Sequence, residues 1–353
     1  MARVNSPLIL DGAYGEGGGA IVRTALAMSA LTQQPMRIEN VRGAQQRQGL
    51  NSEDLAILRA LALSTSAETV GAEFGSKTVS FLPTRTPRAL NERFDIPDAD
   101  DGPGHANALV VLSTLAPVMA RSGAFSALFA VGETFGRNIL GFDAFANSTV
   151  PALQRLGLYC YPDLSVAGFG LKSRGEAALE VEPSALHGAR FTDRGALLHA
   201  RAMVTTGDLP SPIAERGVAH IARMAHHSGI PIDPEMTLAK AKTPGAHVTI
   251  WAEFEGGFGS ASASGARGVR IEAIAQQAFE GFNEWYRSGS TIDAFLADQL
   301  LLTAVLAEGE TVMKIQRLTQ RFLTMVWVVK QFLPIHITVK GGEDNPGTVT
   351  IKR

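Results

Sequence analysis

Cysteine is almost absent from this chain of 353 residues: Cys160 stands alone. A single thiol excludes an internal disulfide framework and a cysteine-rich zinc site, and leaves Cys160 the role of a small buried hydrophobe. A strong charge of either sign is also missing, since 32 Lys and Arg against 34 Asp and Glu leave a formal net charge of −2. No global field draws nucleic acid, so any contact with RNA or a nucleotide must rest on a local patch. Long apolar runs are lacking too. None approaches the ~18 residues of a membrane span, and the opening M-A-R-V-N-S-P has no signal-peptide core, so a cytoplasmic protein is expected. Charged residues make up only 19% and hydrophobic ones 45%, which excludes a disordered chain and supports a sizeable core. The eight histidines, at positions 105, 187, 199, 220, 226, 227, 247 and 336, are scattered. Only His226 and His227 adjoin, and no carboxylate or third histidine is spaced to complete a metal site with them. No metal ligands are assigned.

What the chain does have is glycine in one place. Asp11 opens D-G-A-Y-G-E-G-G-G, nine residues with five glycines and two carboxylates, which runs into the apolar-periodic A-I-V-R. Glycines before a helix let the backbone approach something closely, and the first helical turn offers unpaired N–H groups to an anion. The run fits neither the P-loop pattern, which needs Lys-Ser or Lys-Thr after its last Gly, nor a plain G-x-G-x-x-G fingerprint. It is either a phosphate cradle or a close-packed strand-to-helix turn. Arg23, Arg42 and Arg47 fall near it in sequence and form the one candidate basic patch.

From Leu8 the chain reads as a strand, the Gly turn, a helix to about Leu31 and a strand M-R-I-E-N-V. A second helix follows, capped by N-S-E-D from Asn51. Strands T-V-G-A-E-F and K-T-V-S-F-L-P then meet at Gly75-Ser76 in a predicted tight hairpin. The order is β-α-β-α-β-β. It recurs from about Arg93, and a third copy closes the chain with helices near 270–287 and 292–307, the helix L-T-M-V-W-V-V-K-Q-F-L, and a last strand pair. A repeat of about 90–110 residues is too long for a solenoid. The expected fold is α/β (α+β): three repeated βαβαββ units around a common axis, over 1–184 and 269–353, with a small α/β domain inserted at 185–268. The stretch G-G-F-G-S-A-S-A-S-G-A-R-G is read as a return linker or mobile loop. Trp327, in the apolar helix, is assigned to the core.

At this point the chain resembles the RNA 3′-terminal phosphate cyclase family. The resemblance rests on D-G-A-Y-G-E-G-G-G-A-I-V-R at 11–23, I-E-N-V-R at 38–42, L-A-D-Q-L at 296–300 and L-T-M-V-W-V-V-K-Q-F-L-P at 323–334. It covers essentially the whole chain, including the insert, and implies the three-unit core just read. Active members convert an RNA 3′-phosphate to a 2′,3′-cyclic phosphate with ATP and a divalent metal, Mg²⁺ or Mn²⁺. A histidine takes up AMP, the adenylate passes to the RNA phosphate, and the neighbouring 2′-hydroxyl displaces it. An imidazole suits that phosphoramidate chemistry, whereas a guanidinium stays protonated and is a poor nucleophile.

The resemblance places the family's nucleophilic histidine at Arg321, in L-T-Q-R-F-L-T. It also implies that Glu16 lies near nucleotide phosphates and metal, that Arg23 and Arg42 hold phosphates, and that Asp298 and Gln299 belong to the site. Departures cluster on the nucleotide side. Gln45 stands for a loop arginine, Glu53 and Ser113 stand for glutamines, Phe295 stands for the tyrosine beside the adenine, and F-G-L-K-S-R-G replaces F-Y-P-x-G-G-G. Lys314 is the one lysine weighed as a substitute nucleophile, without the sequence context of ligase lysines. Two readings of function stay open. One is a protein that binds RNA 3′ ends or phosphate but does not adenylylate itself, with RNA-processing or ribosome-assembly proteins as partners; eukaryotic cyclase-like ribosome-biogenesis proteins also lack the histidine. The other is an active ATP-dependent cyclase with a divergent site. Within the first, Arg23 and Arg42 either hold an anion or only brace the fold. An enolpyruvyl transferase, built from about six similar units, needs twice what this chain has.

Overall fold

The computed structural model describes residues 6–96, 106–170 and 172–353, so His105 and Leu171 lie outside the described residues. The first unit comprises β1 (Leu8–Asp11), α1 (Gly19–Thr32), β2 (Met36–Glu39), α2 (Ser52–Thr65), β3 (Glu68–Val70) and β4 (Val79–Leu82). β1 runs parallel to β2, β2 antiparallel to β4, and β4 antiparallel to β3. α2 starts where N-S-E-D predicts. The Asn51 side chain accepts from the Asp54 N–H, and the Asp54 carboxylate accepts from the Asn51 N–H, so the two residues satisfy each other's backbone donors. The β3–β4 connection is wider than the predicted hairpin: β3 ends at Val70, and the chain runs out to Gly75 and Ser76. There Gly75 N–H donates to Leu50 and Leu50 N–H to Ser76, so the tip is held by the loop before α2 instead of by a two-residue turn.

The second unit is β5 (Asn91–Asp95), α3 (Ala108–Ala120), β6 (Ser126–Gly132), α4 (Phe142–Ala144), a π turn over Phe145–Thr149, α5 (Val150–Gln154), β7 (Cys160–Val166) and β8 (Gly175–Val181). Cys160 is fully buried, as expected, and burial pushes its thiol pKa up to about 12. Next comes β9 (Arg190–Phe191), followed by β10 (Leu197–Gly207), α6 (Ser211–Ser228), β11 (Ile232–Ala239), β12 (Gly245–Phe254), β13 (Gly257–Ser264) and α7 (Ile271–Ser288). The chain closes with α8 (Ala294–Leu306), β14 (Glu310–Ile315), α9 (Gln320–Phe332), β15 (His336–Lys340) and β16 (Gly347–Lys352).

Three of the sheets share one strand order. β1-β2-β4-β3, β5-β6-β8-β7 and β9-β14-β16-β15 each join the first strand to the second in parallel, then the second to the fourth and the fourth to the third antiparallel. The sheet β11-β10-β12-β13 differs. It has its own hydrophobic core, and α7 belongs to that core through Ile274, Ala278, Phe282 and Trp285. The helix near 270–287, read from sequence as part of the third copy, therefore packs on the insert's sheet. β9, which pairs with β14, precedes the insert.

The Gly/Ser-rich stretch is not a linker. β13 pairs along its whole length with β12, and its small side chains leave room for α7: a Cβ on Gly259 would stand 2.2 Å from the Trp285 indole. In the main core, α1 packs on α9, α2 and α3, and α3 on α8. Trp327 is only partly buried at the edge of this core, stacked on Tyr14 with ring centroids 4.0 Å apart. The insert is tied to the second unit by Thr205 Oγ1 donating to Asp143 Oδ2 (2.6 Å), by Arg155 to Glu253 (3.3 Å) and by Ala167 N–H to the Lys240 carbonyl (2.7 Å). No helix among the described residues is long and apolar enough to cross a membrane.

Candidate functional site

A cleft of about 730 Å³ opens where α1, the loop after β2, α8 and the start of α9 converge, with β13 and α7 of the insert as the facing wall. Glu16, Arg23, Arg42, Phe295, Asp298, Gln299 and Arg321 all line it. Residues more than three hundred positions apart in the chain, Glu16 and Arg321, thus meet in one place.

The Gly-rich run sets the geometry. Gly15 and Gly17 have φ of +59° and +56°, a left-handed backbone that favours glycine. A Cβ on Gly15 would stand 2.3 Å from Thr324 Oγ1, the same hydroxyl that accepts the Glu16 N–H at 2.9 Å. The run is thereby clamped to α9. Gly18 caps α1 with extended backbone and no side-chain acceptor, so the first N–H groups of the helix are left for a ligand or solvent. A Cβ on Gly19 would meet Arg42 at 2.4 Å and Arg23 at 2.5 Å; only glycine lets two guanidinium groups lie across the start of α1.

Each of three arginines faces a carboxylate. Arg42, whose own φ is +54°, donates through Nε to Asp54 Oδ2 at 2.9 Å, with NH2 at ion-pair distance, 2.9 Å, from the same oxygen. Arg23 NH1 stands 3.7 Å from Glu53 Oε2, while Glu53 Oε1 accepts the Asn107 N–H at 2.9 Å. Burial raises the Glu53 pKa, with Arg23 opposing, and burial lowers that of Arg23. Arg321, second residue of α9, stands 3.6 Å from Glu16 Oε1 and 3.8 Å from Asp298 Oδ2. Its side chain is 40% exposed, against 22% for Arg23 and 16% for Arg42, so it is the most open of these three guanidinium groups. Gln45 donates to the Glu16 carbonyl at 2.9 Å.

Arg317 was missed by the sequence reading. It is exposed, lines the cleft four residues before Arg321, and has no ion pair among the described residues. The doubled Q-R of Q-R-L-T-Q-R was the available signal. Asp293 was also missed. It caps α8 by accepting from Phe295 and Leu296 and takes the Ser260 N–H of β13, so it joins the insert to the cleft. Lys314 lies on β14 with an exposed side chain away from the cleft lining, and His336 is exposed on β15. His226 and His227 are exposed in the last turn of α6.

Among the described residues, the cleft lining contains no histidine, lysine or cysteine. Its nitrogen groups are guanidinium and amide. The family implies a divalent metal with the nucleotide, and the donor set fits one poorly. Among the described residues, Glu16 Oε2 and Asp298 Oδ1 are buried without a hydrogen-bond partner, but Arg321 already faces both carboxylates. Among the described residues there is no group of three or more His, Cys, Asp or Glu that could hold a metal.

The cleft also sets Glu280, Glu284, Asp293 and Asp298 against its arginines. Burial pushes the Asp298 carboxyl up to about 7; Arg321 opposes this and Glu16 adds to it. Burial likewise takes Asp293 to about 6. The folded state thus holds protons that the unfolded state, with ordinary carboxyls, releases near pH 4. The stabilisation these protons give is complete below the unfolded pKa and is lost as pH rises through about 7 for Asp298. Denaturant melts at pH 6, 7 and 8 are expected to show stability falling by about 1 kcal/mol across that range, with a shallower fall in Asp298→Asn. An equal slope in both proteins would remove Asp298 as its source.

A family model described as RNA 3′-terminal phosphate cyclase matches residues 14–339. A protein named RNA 3′-terminal phosphate cyclase from Methylococcus capsulatus is 32% identical over 346 residues, covering 98% of this chain and 96% of its own. Another of that name, from Gloeothece citriformis, is 30% identical and covers 92% of this chain and 93% of its own. Among solved structures, the enolpyruvyl transferase NikO from Streptomyces tendae matches with a TM-score of 0.26 and 15% identity, over 62% of this chain and 38% of that one, too slight a likeness to carry an argument.

Proposed function

This chain belongs to the RNA 3′-terminal phosphate cyclase family, and from that premise we propose that it binds phosphorylated RNA 3′ ends in the cleft without forming a protein–adenylate intermediate. The observation that carries this reading is Arg321, which the resemblance sets at the family's nucleophile position, facing Glu16 and Asp298. A guanidinium holds its proton at any ordinary pH and offers no lone pair to a phosphorus atom. It offers instead planar N–H donors suited to phosphate oxygens. The uncapped start of α1 adds backbone donors to the same space.

The departures from the family pattern point the same way. Glu53, in place of a glutamine, gives Arg23 an internal counter-charge, and Gln45, in place of an arginine, is spent on the Glu16 backbone. Both changes lower the positive charge available to a triphosphate. The relatives' names favour a second reading, an ATP-dependent cyclase whose nucleophile is unlike the family's.

Incubation with labelled ATP and Mg²⁺ or Mn²⁺ separates the two. No acid-labile protein–AMP is expected from the unmodified chain, and stoichiometric labelling would sink the proposal. Arg321→His restores the imidazole to its place and is the informative companion. Direct binding completes the test: RNA with a 3′-phosphate is expected to bind about tenfold or more tightly than the same RNA with a 3′-hydroxyl, the worth of a charge-assisted contact. Equal affinities, unchanged by Arg23→Ala and Arg42→Ala, would leave those arginines as braces of the fold.

A further inference from the structure

Tyr14 sits in the Gly-rich run two residues before Glu16 and is 46% exposed. An aromatic ring in such a loop is an odd choice for packing alone. One face rests on Trp327 at 4.0 Å between centroids and 20° between planes, and Trp327 in turn packs at the edge of the main core. The Tyr14 hydroxyl makes no hydrogen bond among the described residues, so it is the ring and not its polar tip that is held. The loop around it is pinned: Gly15 lies against Thr324, and Glu16 N–H donates to the same hydroxyl, one helical turn before Trp327. Tyr14 and Glu16 therefore keep a constant relation, one beside the aromatic stack and one in the cleft. Lys330 stands exposed a further turn along α9.

We propose that the Tyr14 ring, backed by Trp327, is a stacking platform for one nucleobase of a single-stranded RNA whose 3′-terminal phosphate lies in the cleft beside Arg321. This rests on the reading of the cleft given above. A flat, rigid π-face next to an anion site is what a single strand requires. Its phosphate is held by charge, its base is held by stacking, and the stack tolerates any base because each has a π-face. A rigid two-ring stack meets a base at low entropic cost, since neither ring has to be ordered on binding.

The test uses the full chain and a set of 3′-phosphorylated RNA hexamers carrying an abasic site at each of the last three positions in turn, read by fluorescence anisotropy. One abasic position is expected to weaken binding about tenfold, the size of a base–aromatic stack. That loss is expected to vanish in Tyr14→Ala and to persist in Tyr14→Phe, which keeps the ring, with unchanged melting temperatures verifying the fold. A flat abasic series in the unmodified chain, or a position-dependent loss that survives in Tyr14→Ala, overturns the platform. If the 3′-phosphate preference stands while the series is flat, the platform alone falls. If the chain binds no RNA, platform and cleft reading fall together.

Discussion

Arg321→Glu is expected to abolish the preference for RNA ending in a 3′-phosphate, weakening its binding by about 100-fold while RNA ending in a 3′-hydroxyl changes by no more than about threefold. The magnitude follows from what the other arginines already do. Arg42 is committed to Asp54 by a hydrogen bond through Nε and an ion pair, and Arg23 faces the buried Glu53. Arg321 is the most exposed of the three and stands at the first turn of α9. Charge reversal places a third carboxylate beside Glu16 and Asp298 and turns the entrance against an anion. Lys314→Glu, an equal reversal on an exposed strand residue outside the cleft lining, is the control and is expected to change binding little. Equal effects of the two reversals, read by anisotropy at one fixed salt concentration, would reduce Arg321 to a contribution to net charge.

Trp285→Ala is expected to cost about 3–5 kcal/mol, the usual range for removing a large core aromatic and a sizeable part of a domain's ~5–15 kcal/mol. Trp285 is fully buried at the centre of the insert's core. Phe282 lies 5.8 Å away and Phe254 6.1 Å, and the bare Cα of Gly259 meets its indole. The Arg194 guanidinium stacks 4.4 Å over the same ring while donating to the carbonyls of Trp285, Tyr286 and Ser290. The indole N–H has no hydrogen-bond partner among the described residues, so the loss is one of packing. Urea unfolding followed by circular dichroism measures it, and a loss below about 1 kcal/mol would mean that the insert's core collapses onto the vacated space. Because β13 and α7 wall the cleft, phosphate binding is expected to weaken in parallel.

How far the sequence can be read differs from one element to the next. α1 and α2 were legible because a glycine run and a capping box mark their starts. The cleft residues were legible through the family resemblance, which brings Glu16, Arg23, Arg42, Phe295, Asp298, Gln299 and Arg321 to one list as the fold brings them to one space. β9 was invisible, since two residues carry no periodicity. β13 was misread because its Gly, Ser and Ala have weak strand preference. Their use lies in what they omit, allowing α7 to sit close. β11 was passed over because it contains Pro234, which is tolerated since β11 is an edge strand. Trp327 was placed in the core by the apolar stretch around it, yet its partner is Tyr14, on a loop over three hundred residues earlier, which no local pattern encodes.

β9 has a consequence in time. Its partner strand lies about 120 residues downstream, the separation of the Arg190–Glu310 ion pair across the two strands. During synthesis, at ~5–20 residues per second, Phe191 waits many seconds for Met313 to appear. All of the insert emerges within that interval. An insert that folds at once shortens the connection from a hundred loose residues to two ends of one compact body, and removes most of the entropy of closing it. The insert is thus a splint for the last sheet as well as a wall of the cleft, and a chain whose insert is slow to fold is expected to arrive at its C-terminus with β9 still unpaired.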